Sequence, residues 1–531
     1  MGPKSTFSSI VDSLESHSWL LLPLSSPHAR FHDNFWGKSM EDERNAWRQS
    51  EGLPPLDDEA DDGEVDILPG CYALKIGIPG FGYTSIWLRA EYIRIFNVCE
   101  EYFAEITGRQ AKKDSSRRPP SFVISGQPGI GKTLWLYYAA RRFAAERRAF
   151  IWVHGNGCYL YTEQGVYRVP NNWRDNDFVP GVPIWTLIDS TSGEDTLRAF
   201  TASQIYFVVC LASSTRDRRM KHTIPFRLTM NPWGRDEMKQ AARLYELPED
   251  AVLEKYDRLG PIPRICIDFI PYQLEDYEHT LNKILKYHIT PSTLESILTE
   301  PEPTADGIGQ YLFLLARAEV DNMLRCVVTP ISPYIEAALV SALREADFKE
   351  LVRLYHRFKV WPDLYRGVVP LFFAALVQGA LASNFFTRGF DPMEFGPIAP
   401  TKNGPSSTRW FYRQQFVDSR VTRRTTNVGL DEVQPDRFYS LEPSTKHGVQ
   451  FFIVSEGNLY LYQFPSGTDA NRHPISLALP FTSTPEGLPP RSNWRMVFAV
   501  PESEIPFEFT VLHPPQLDDI GVYTDVFSTN Y

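Results

Sequence analysis

Apolar residues in the middle of the chain fall in short continuous blocks, with helix-spaced stretches before and after. The blocks are Phe122-Val123-Ile124, Ala149 to Val153, Ile184 to Ile188, Ile205 to Leu211 and Ile224 to Leu228, each separated from the next by polar or helical residues. Apolar runs of this length broken by helical segments predict parallel strands covered on both faces. Upstream, Tyr72 to Ile76 predicts a strand. Trp87, Ala90, Ile93, Ile95, Val98 and Phe103 predict one amphipathic helix over 87–103. Downstream, helical periodicity dominates 276–345. The greasiest run, Val368 to Ala382, contains Gln378 and is shorter than the ~18 residues a membrane span needs; it predicts a buried helix. After a Pro/Gly-rich loop near Gly396 to Pro405, the runs Gln450 to Val454, Leu459 to Phe464 and Trp494 to Val500 predict strands.

The chain has 531 residues, 43% hydrophobic and 22% charged. That is ordinary globular usage and excludes global disorder; at roughly 150 residues per domain, about three domains are expected. A net charge of −11 excludes a protein that coats nucleic acid or anionic membrane over its whole surface. Cys71, Cys99, Cys158, Cys210, Cys266 and Cys326 form no CxxC and no zinc spacing, which predicts free thiols in a reducing compartment. Trp19 to Leu24 is apolar but short and follows Asp12 and Glu15, unlike a secretory signal. The expectation is an intracellular protein of nucleus or cytoplasm, off the membrane. The acidic stretch Asp57 to Asp66 reads as a solvated loop or as a mimic occupying a basic groove. Lys112, Lys113, Arg117, Arg118 and Pro119-Pro120 mark a boundary.

The most informative residues are Gly126, Gln127, Pro128, Gly129, Ile130, Gly131, Lys132 and Thr133. They satisfy GxxxxGK[ST] between a predicted strand and a predicted helix, the context that pattern needs. Glycines let backbone N–H groups turn inward on phosphates, and the helix N-terminus adds partial positive charge. Lys132 would reach the β- and γ-phosphates of a nucleoside triphosphate, and the Thr133 hydroxyl would hold Mg²⁺. The apolar strand ending at Asp189 has the form of a Walker B element, with Asp189 holding Mg²⁺ through water; alternatively Asp189 caps its strand. Ser190 follows in place of the acidic residue that polarises the attacking water in many ATPases. Glu194 or Asp195 stands in for it, or hydrolysis is slow and the site is a switch. Ser213, after the next strand, is positioned to sense the γ-phosphate. Arg216, Arg218, Arg219 and Lys221 read as a charge-stabilising arginine, a patch for polyphosphate or nucleic acid, or a solvated loop. Gly260-Pro261-Ile262-Pro263-Arg264 is either a turn that brings a lid and Arg264 onto the phosphates or a simple structural turn. The absence of an Asn-Lys-x-Asp element favours adenine over guanine, hence ATP.

Ser125 to Thr133, Ile188-Asp189-Ser190, Met230 to Glu237, Gly260 to Arg264 and the helical stretch Tyr334 to Tyr355 together resemble the Crinkler and retrotransposon-hot-spot proteins, P-loop proteins of eukaryotic microbes. The resemblance runs over about 85–500. It implies a P-loop NTPase with a helical lid and a C-terminal nuclease-like domain of the PD-(D/E)xK class, with many members acting in the nucleus. The ubiquitin-like leader with a Leu-Phe-Leu-Ala-Lys motif that marks delivered members has no counterpart here, so host delivery is not part of the expectation. Nor do the nuclease carboxylates match. Phe373 stands where a helical Glu belongs, Gln450 where the strand Asp belongs, and Gln463 is followed by Pro465 at the Lys position. Without carboxylates a divalent ion loses its charge compensation; Asp436, Glu442 and Glu456 are the replacements to consider.

The expected fold is α/β, a P-loop NTPase parallel sheet with a helical lid, an α+β restriction-endonuclease-like domain and an N-terminal accessory region. The divisions are 1–117 (accessory, with the acidic loop), 118–275 (NTPase), 276–348 (lid) and 349–531 (degenerate nuclease-like). The expected function is a Mg²⁺-dependent ATP-binding and ATP-hydrolysing switch. The alternatives are an active ATP-regulated DNA nuclease or DNA-processing nuclear effector, and a non-enzymatic interaction protein stabilised by nucleotide. Expected partners are the triphosphate and, through the basic clusters, nucleic acid or a chromatin-associated protein; oligomerisation is left open.

Overall fold

The computed structural model describes residues 19–53, 71–77, 84–110, 121–154, 157–170, 184–189, 200, 206–211, 226–299, 307–317, 326–344, 346–365 and 367–382, then short segments between 396 and 527. The described chain forms two compact units. The first holds the residues up to Glu254 together with Pro261–Asp268; the second holds Lys255–Gly260 and most of the chain from Phe269 onward. The sequence boundaries at 117, 275 and 348 divide the chain more finely.

The first unit is built on an eight-stranded sheet. Its strands are β1 (Leu20–Leu21), β4 (Phe122–Ser125), β5 (Phe150–His154), β6 (Gly157–Thr162), β7 (Gly165–Arg168), β8 (Ile184–Ile188), β9 (Tyr206–Leu211) and β10 (Phe226–Thr229); β2 (Tyr72–Lys75) and β3 (Ser85–Leu88) pair separately as an antiparallel ribbon. The order across the sheet is β1-β7-β6-β5-β8-β9-β4-β10. Strands β5, β8, β9, β4 and β10 run parallel, as their apolar blocks predict. The expected all-parallel sheet is corrected at one edge, where β6, β7 and β1 extend it antiparallel.

The helices of this unit are α1 (Pro27–Phe35), α2 (Met40–Ser50), α3 (Ala90–Gln110), α4 (Lys132–Ala145), α5 (Arg235–Leu244) and α6 (Glu249–Leu259), the last running into the second unit. The single helix expected from Trp87 starts later, because Trp87 belongs to β3. Strand residues alternate between faces. Val123, Ile151, Val153, Ile184, Ile188, Tyr206, Val208 and Cys210 form one buried layer. The opposite face carries Phe150, Trp152, Trp185 and Phe207 under α3 and α4. Trp185 is ringed there by Phe96, Phe103, Phe143 and Phe207 at centroid distances of 5.8, 5.3, 5.0 and 4.5 Å. Truncating such a side chain to alanine costs about 3–5 kcal/mol. The N-terminal helices belong to this core: buried Arg141 of α4 pairs with Glu43 of α2 at 2.5 Å and donates to the Lys75 carbonyl at 3.2 Å.

In the second unit, α7 (Pro271–Tyr287), α8 (Pro291–Thr299), α9 (Gly309–Leu312), α10 (Pro333–Leu343), α11 (Phe348–Lys359), α12 (Pro362–Tyr365) and α13 (Val369–Ala382) come in chain order. The mainly helical segment expected over 276–348 also holds an antiparallel pair, β11 (Phe313–Arg317) and β12 (Cys326–Pro330). Helix α13 is apolar all round, and such a helix must be buried; residues 371–378 are. Gly379 matters to that packing, since a Cβ there would meet the Arg344 carbonyl oxygen at 2.9 Å.

Two sheets close the chain, with strands β13 (Gly396–Pro397), β14 (Ala399–Lys402), β15 (Thr408–Phe411), β16 (Arg437–Ser440), β17 (Val449–Ser455), β18 (Asn458–Gln463), β19 (Ile475–Ser476), β20 (Trp494–Pro501), β21 (Phe509–Leu512) and β22 (Gly521–Phe527). One is ordered β13-β22-β20-β18-β17-β16, the other β14-β15-β21-β19. The loop expected near Gly396 to Pro405 therefore contains strands. Strands β16, β17 and β18 form an antiparallel meander, and β18, β20 and β22 are parallel. Among the described residues no helix is long and apolar enough to cross a membrane.

Candidate nucleotide site

Strand β4 ends at Ser125, α4 begins at Lys132, and the loop between them supplies Gly126 to Gly131. Three glycines there hold left-handed backbones: Gly126 at φ 137°, Gly129 at 85° and Gly131 at 99°. L-residues avoid such conformations, and there is no room for a side chain. A Cβ on Gly126 would meet Ile130 Cδ1 at 2.7 Å and the Met230 carbonyl at 3.0 Å; one on Gly131 would run into the Tyr92 hydroxyl. The Lys132 ammonium donates to the Gly126 and Gln127 carbonyls at 2.7 and 3.0 Å, spanning the loop. Thr133 is the second residue of α4, in the first turn, where amides lack intrahelical partners and the dipole is positive.

The loop lies at the carboxyl end of a parallel strand whose neighbours, β9 on one side and β10 on the other, are the last two strands of the sheet in chain order. Open α/β sheets bind ligands at such topological switch points. Asp189, buried at 5% exposure, comes directly after β8 at the same end of the sheet, and its N–H donates to the Val153 carbonyl at 3.3 Å. Glu194 and Ser213 lie outside the described residues, as do Ser190, Asp195 and the basic cluster Arg216, Arg218, Arg219 and Lys221.

The end of the Gly260 to Arg264 turn does reach the loop. The Arg264 N–H approaches the Gly129 carbonyl at 3.4 Å, and a Cβ on Gly129 would meet Arg264 Cβ at 2.8 Å. Arg264 opens a single π-helical turn, Arg264–Asp268, and is itself exposed. Such turns occur often at functional sites.

Behind the loop stands a buried polar cluster that the sequence pattern does not reveal. Arg89, at 1% exposure, donates from Nε and an amino group to Glu237 at 3.1 and 2.8 Å, and to the Asn231 and Pro232 carbonyls at 3.2 and 2.9 Å. Its guanidinium lies 4.7 Å from the Trp233 ring. Burial alone would weaken its hold on the proton, but the Glu237 carboxylate outweighs that, and its pKa is raised. Glu91 accepts from the Asn231 N–H at 2.9 Å. From this cluster the Trp233 indole donates to the Ile130 carbonyl at 2.8 Å and the Tyr92 hydroxyl to the Gly131 carbonyl at 3.0 Å. The one legible signal is Glu237, three residues after the helix-capping Gly234, whose N–H it accepts at 2.9 Å.

The loop suits polyphosphate: left-handed glycines, a lysine across the turn and a helix start. Thr133 and Asp189 offer a hydroxyl and a carboxylate, the oxygen donors Mg²⁺ takes alongside phosphate. Among the described residues no group of three or more His, Cys, Asp or Glu is placed to cage a metal without such help.

At the expected nuclease positions, Phe373 is buried in α13 with its ring 6.0 Å from Tyr355. Gln463 is buried at the end of β18, paired with Val449 and Phe498, and Gln450 falls where the β17–β18 register shifts. Asp436, Glu442 and Glu456 lie outside the described residues.

The chain is similar to two Crinkler effector proteins of Phytophthora infestans, numbers 15 and 16. Identity is 22% over 156 residues in each case, covering 28% of this chain and 25% and 24% of those proteins. The chain thus spans about a quarter of the length of the curated relatives it matches. No family model matches.

Proposed function

We propose that the chain is a Crinkler-like P-loop nucleoside triphosphatase that binds ATP on Gly126 to Thr133, hydrolyses it with Mg²⁺ and uses occupancy as a switch. The observation that supports this most is the loop itself. Its three left-handed glycines, its lysine and the start of α4 come together at the carboxyl end of β4, a parallel strand held between β9 and the edge strand β10. On this reading the amides of Gly129 to Thr133 bind the phosphates, Lys132 turns from the loop carbonyls to the β- and γ-phosphates, and Thr133 and Asp189 hold the metal. Bound Mg²⁺ would neutralise charge developing on the phosphates. Arg264, anchored at Gly129, would answer to phosphate from the turn above the loop.

The C-terminal sheets serve for binding rather than cleavage in this reading, supported by the buried aromatic Phe373 where a metal-binding carboxylate is needed. Any nucleic acid would be held through the local basic clusters and released by salt. Lys132→Ala is expected to abolish Mg²⁺-dependent phosphate release. Wild-type turnover in that variant would remove the loop from the chemistry.

A further inference from the structure

We propose that His154 holds the attacking water for hydrolysis, with Tyr137 fixing its ring, an inference that deepens the ATPase reading and rests on it. Strand β5 ends at His154 and lies parallel to β8, with Val153 opposite Ile188 and the Asp189 N–H on the Val153 carbonyl. Side chains of matching register share a face. His154 and Asp189 therefore stand just beyond the last pair, on the face of Phe150, Trp152 and Trp185 that α4 covers. Contacts of Tyr137 with Trp152 at 5.1 Å and of Phe143 with Trp185 at 5.0 Å identify that face.

On α4, Tyr137 comes four residues after Thr133, one turn along the same helix face, and its hydroxyl is 3.4 Å from His154 Nε2. Burial, and secondarily the Asp189 charge, push Tyr137 up to about 12, so the hydroxyl keeps its proton. Among the described residues, His28 of α1 also faces His154, with ring centroids 5.8 Å apart; Tyr159, stacked on His28 and leaning over Gly157 opposite His154, and Asp189 at the end of β8 are the neighbouring titratable groups. Thus helix spacing from Thr133 to Tyr137, the Tyr137–His154 hydrogen bond and the β5–β8 register relate the helix start that carries Lys132 and Thr133 to a second polar residue at the sheet end beside Asp189.

Ser190, not a carboxylate, comes after Asp189, so the water-orienting role falls to a residue elsewhere at the site. Phosphoryl transfer asks of the protein chiefly positioning and charge stabilisation, and a neutral water-orienting side chain suffices. A neutral imidazole offers one donor and one acceptor. With Nε2–H donating to the Tyr137 oxygen, Nδ1 accepts from the water and aims its oxygen lone pair. The water oxygen then bonds to the γ-phosphorus while the bond to the bridging oxygen breaks. ADP leaves with that electron pair, and both water hydrogens depart with the product as dihydrogen phosphate.

The test uses the full-length chain, with phosphate release from Mg²⁺-ATP for kcat and calorimetric ATPγS binding for Kd. His154→Ala is expected to lower kcat by about 100-fold or more with Kd within about threefold. His154→Gln, which can still orient water, should keep roughly a tenth of wild-type kcat. Tyr137→Phe, which removes one hydroxyl, should lower kcat by about tenfold with Kd unchanged. Undiminished kcat in His154→Ala overturns the assignment, as does equal inactivity of the Ala and Gln variants, a Kd change that accounts for the loss, or a wild type that binds ATPγS but never releases phosphate. Loss confined to Glu194→Gln or Asp195→Asn would move the role to those carboxylates. A wild type that neither binds nor turns over overturns the nucleotide site itself; a wild type that does both beside an unaffected His154→Ala overturns only His154.

Discussion

Arg89→Met keeps the apolar stem of the side chain and removes the guanidinium that braces the loop from behind. Four hydrogen bonds vanish: two to Glu237, one to the Asn231 carbonyl and one to the Pro232 carbonyl. Glu237 loses its cationic partner, and the two carbonyls lose a donor beside buried Trp233. Removing one member of a buried ion pair costs about 3–5 kcal/mol, and the lost contact with the Trp233 ring adds about 1 kcal/mol. These terms overlap, so a loss of about 3–5 kcal/mol is expected for the first unit. It should be read from the tryptophan-fluorescence transition in urea. Through Trp233 and Tyr92 the same change loosens the Ile130 and Gly131 carbonyls; one weakened hydrogen bond of about 1.4 kcal/mol corresponds to about a tenfold higher Kd for ATP. A cycle with Glu237→Gln should give a coupling of at least about 1.5 kcal/mol. Destabilisation below about 1 kcal/mol together with unchanged ATP affinity would refute the bracing role.

The same geometry sets two further outcomes. His28 stacks on Tyr159 at 3.8 Å and bonds the Tyr161 hydroxyl at 2.6 Å; burial first, and His154 second, lower its pKa from 6.5 to about 4. Because the folded value lies below the unfolded one, the stability contributed above pH 6.5 drains away as the pH falls toward 4, by about 3 kcal/mol in full. Melting the wild type and His28→Gln at pH 7, 6 and 5 should show the slope in the first and not in the second, and equal slopes would overturn the assignment. Supercoiled plasmid incubated with the chain and Mg²⁺ or Mn²⁺ should stay intact, given Phe373 and Gln450 where carboxylates are needed and Pro465 at the Lys position; metal-dependent relaxed circles would show that a catalytic carboxylate lies elsewhere.

What could be read from the chain was what depends on neighbours along it. Strands β4, β5, β8, β9 and β10 were legible because continuous apolar runs of that length have few other uses. The loop was legible because its left-handed turns between a strand and a helix demand glycine at fixed positions. Strands β6 and β7 were missed: Tyr159, Tyr161 and Tyr167 mix aromatic and polar character, and their burial depends on α1 and the sheet edge. The pair β11 and β12 was missed because Phe313 to Ala316 is an apolar run that periodicity cannot tell from helix. Arg89 was invisible for a different reason. An arginine between a strand and a helix reads as solvated, and its partners lie more than 140 positions away. His154 reads in the chain as a polar residue that ends a strand, and only the register with β8 sets it beside Asp189.

Modularity is where the bracing of the loop has its practical weight. A fragment cut at the compositional boundary would begin at residue 118 and keep every letter of the phosphate-binding motif. It would nonetheless leave behind Arg89, Glu91 and Tyr92, and with them the hydroxyl on Gly131 and the cation that ties Glu237 to the turn before α5, as well as Glu43, the partner of buried Arg141. The first unit therefore keeps its loop braced only when the residues upstream of the proline pair stay with it, back through β3 to Glu43 of α2, which pairs with Arg141 of α4.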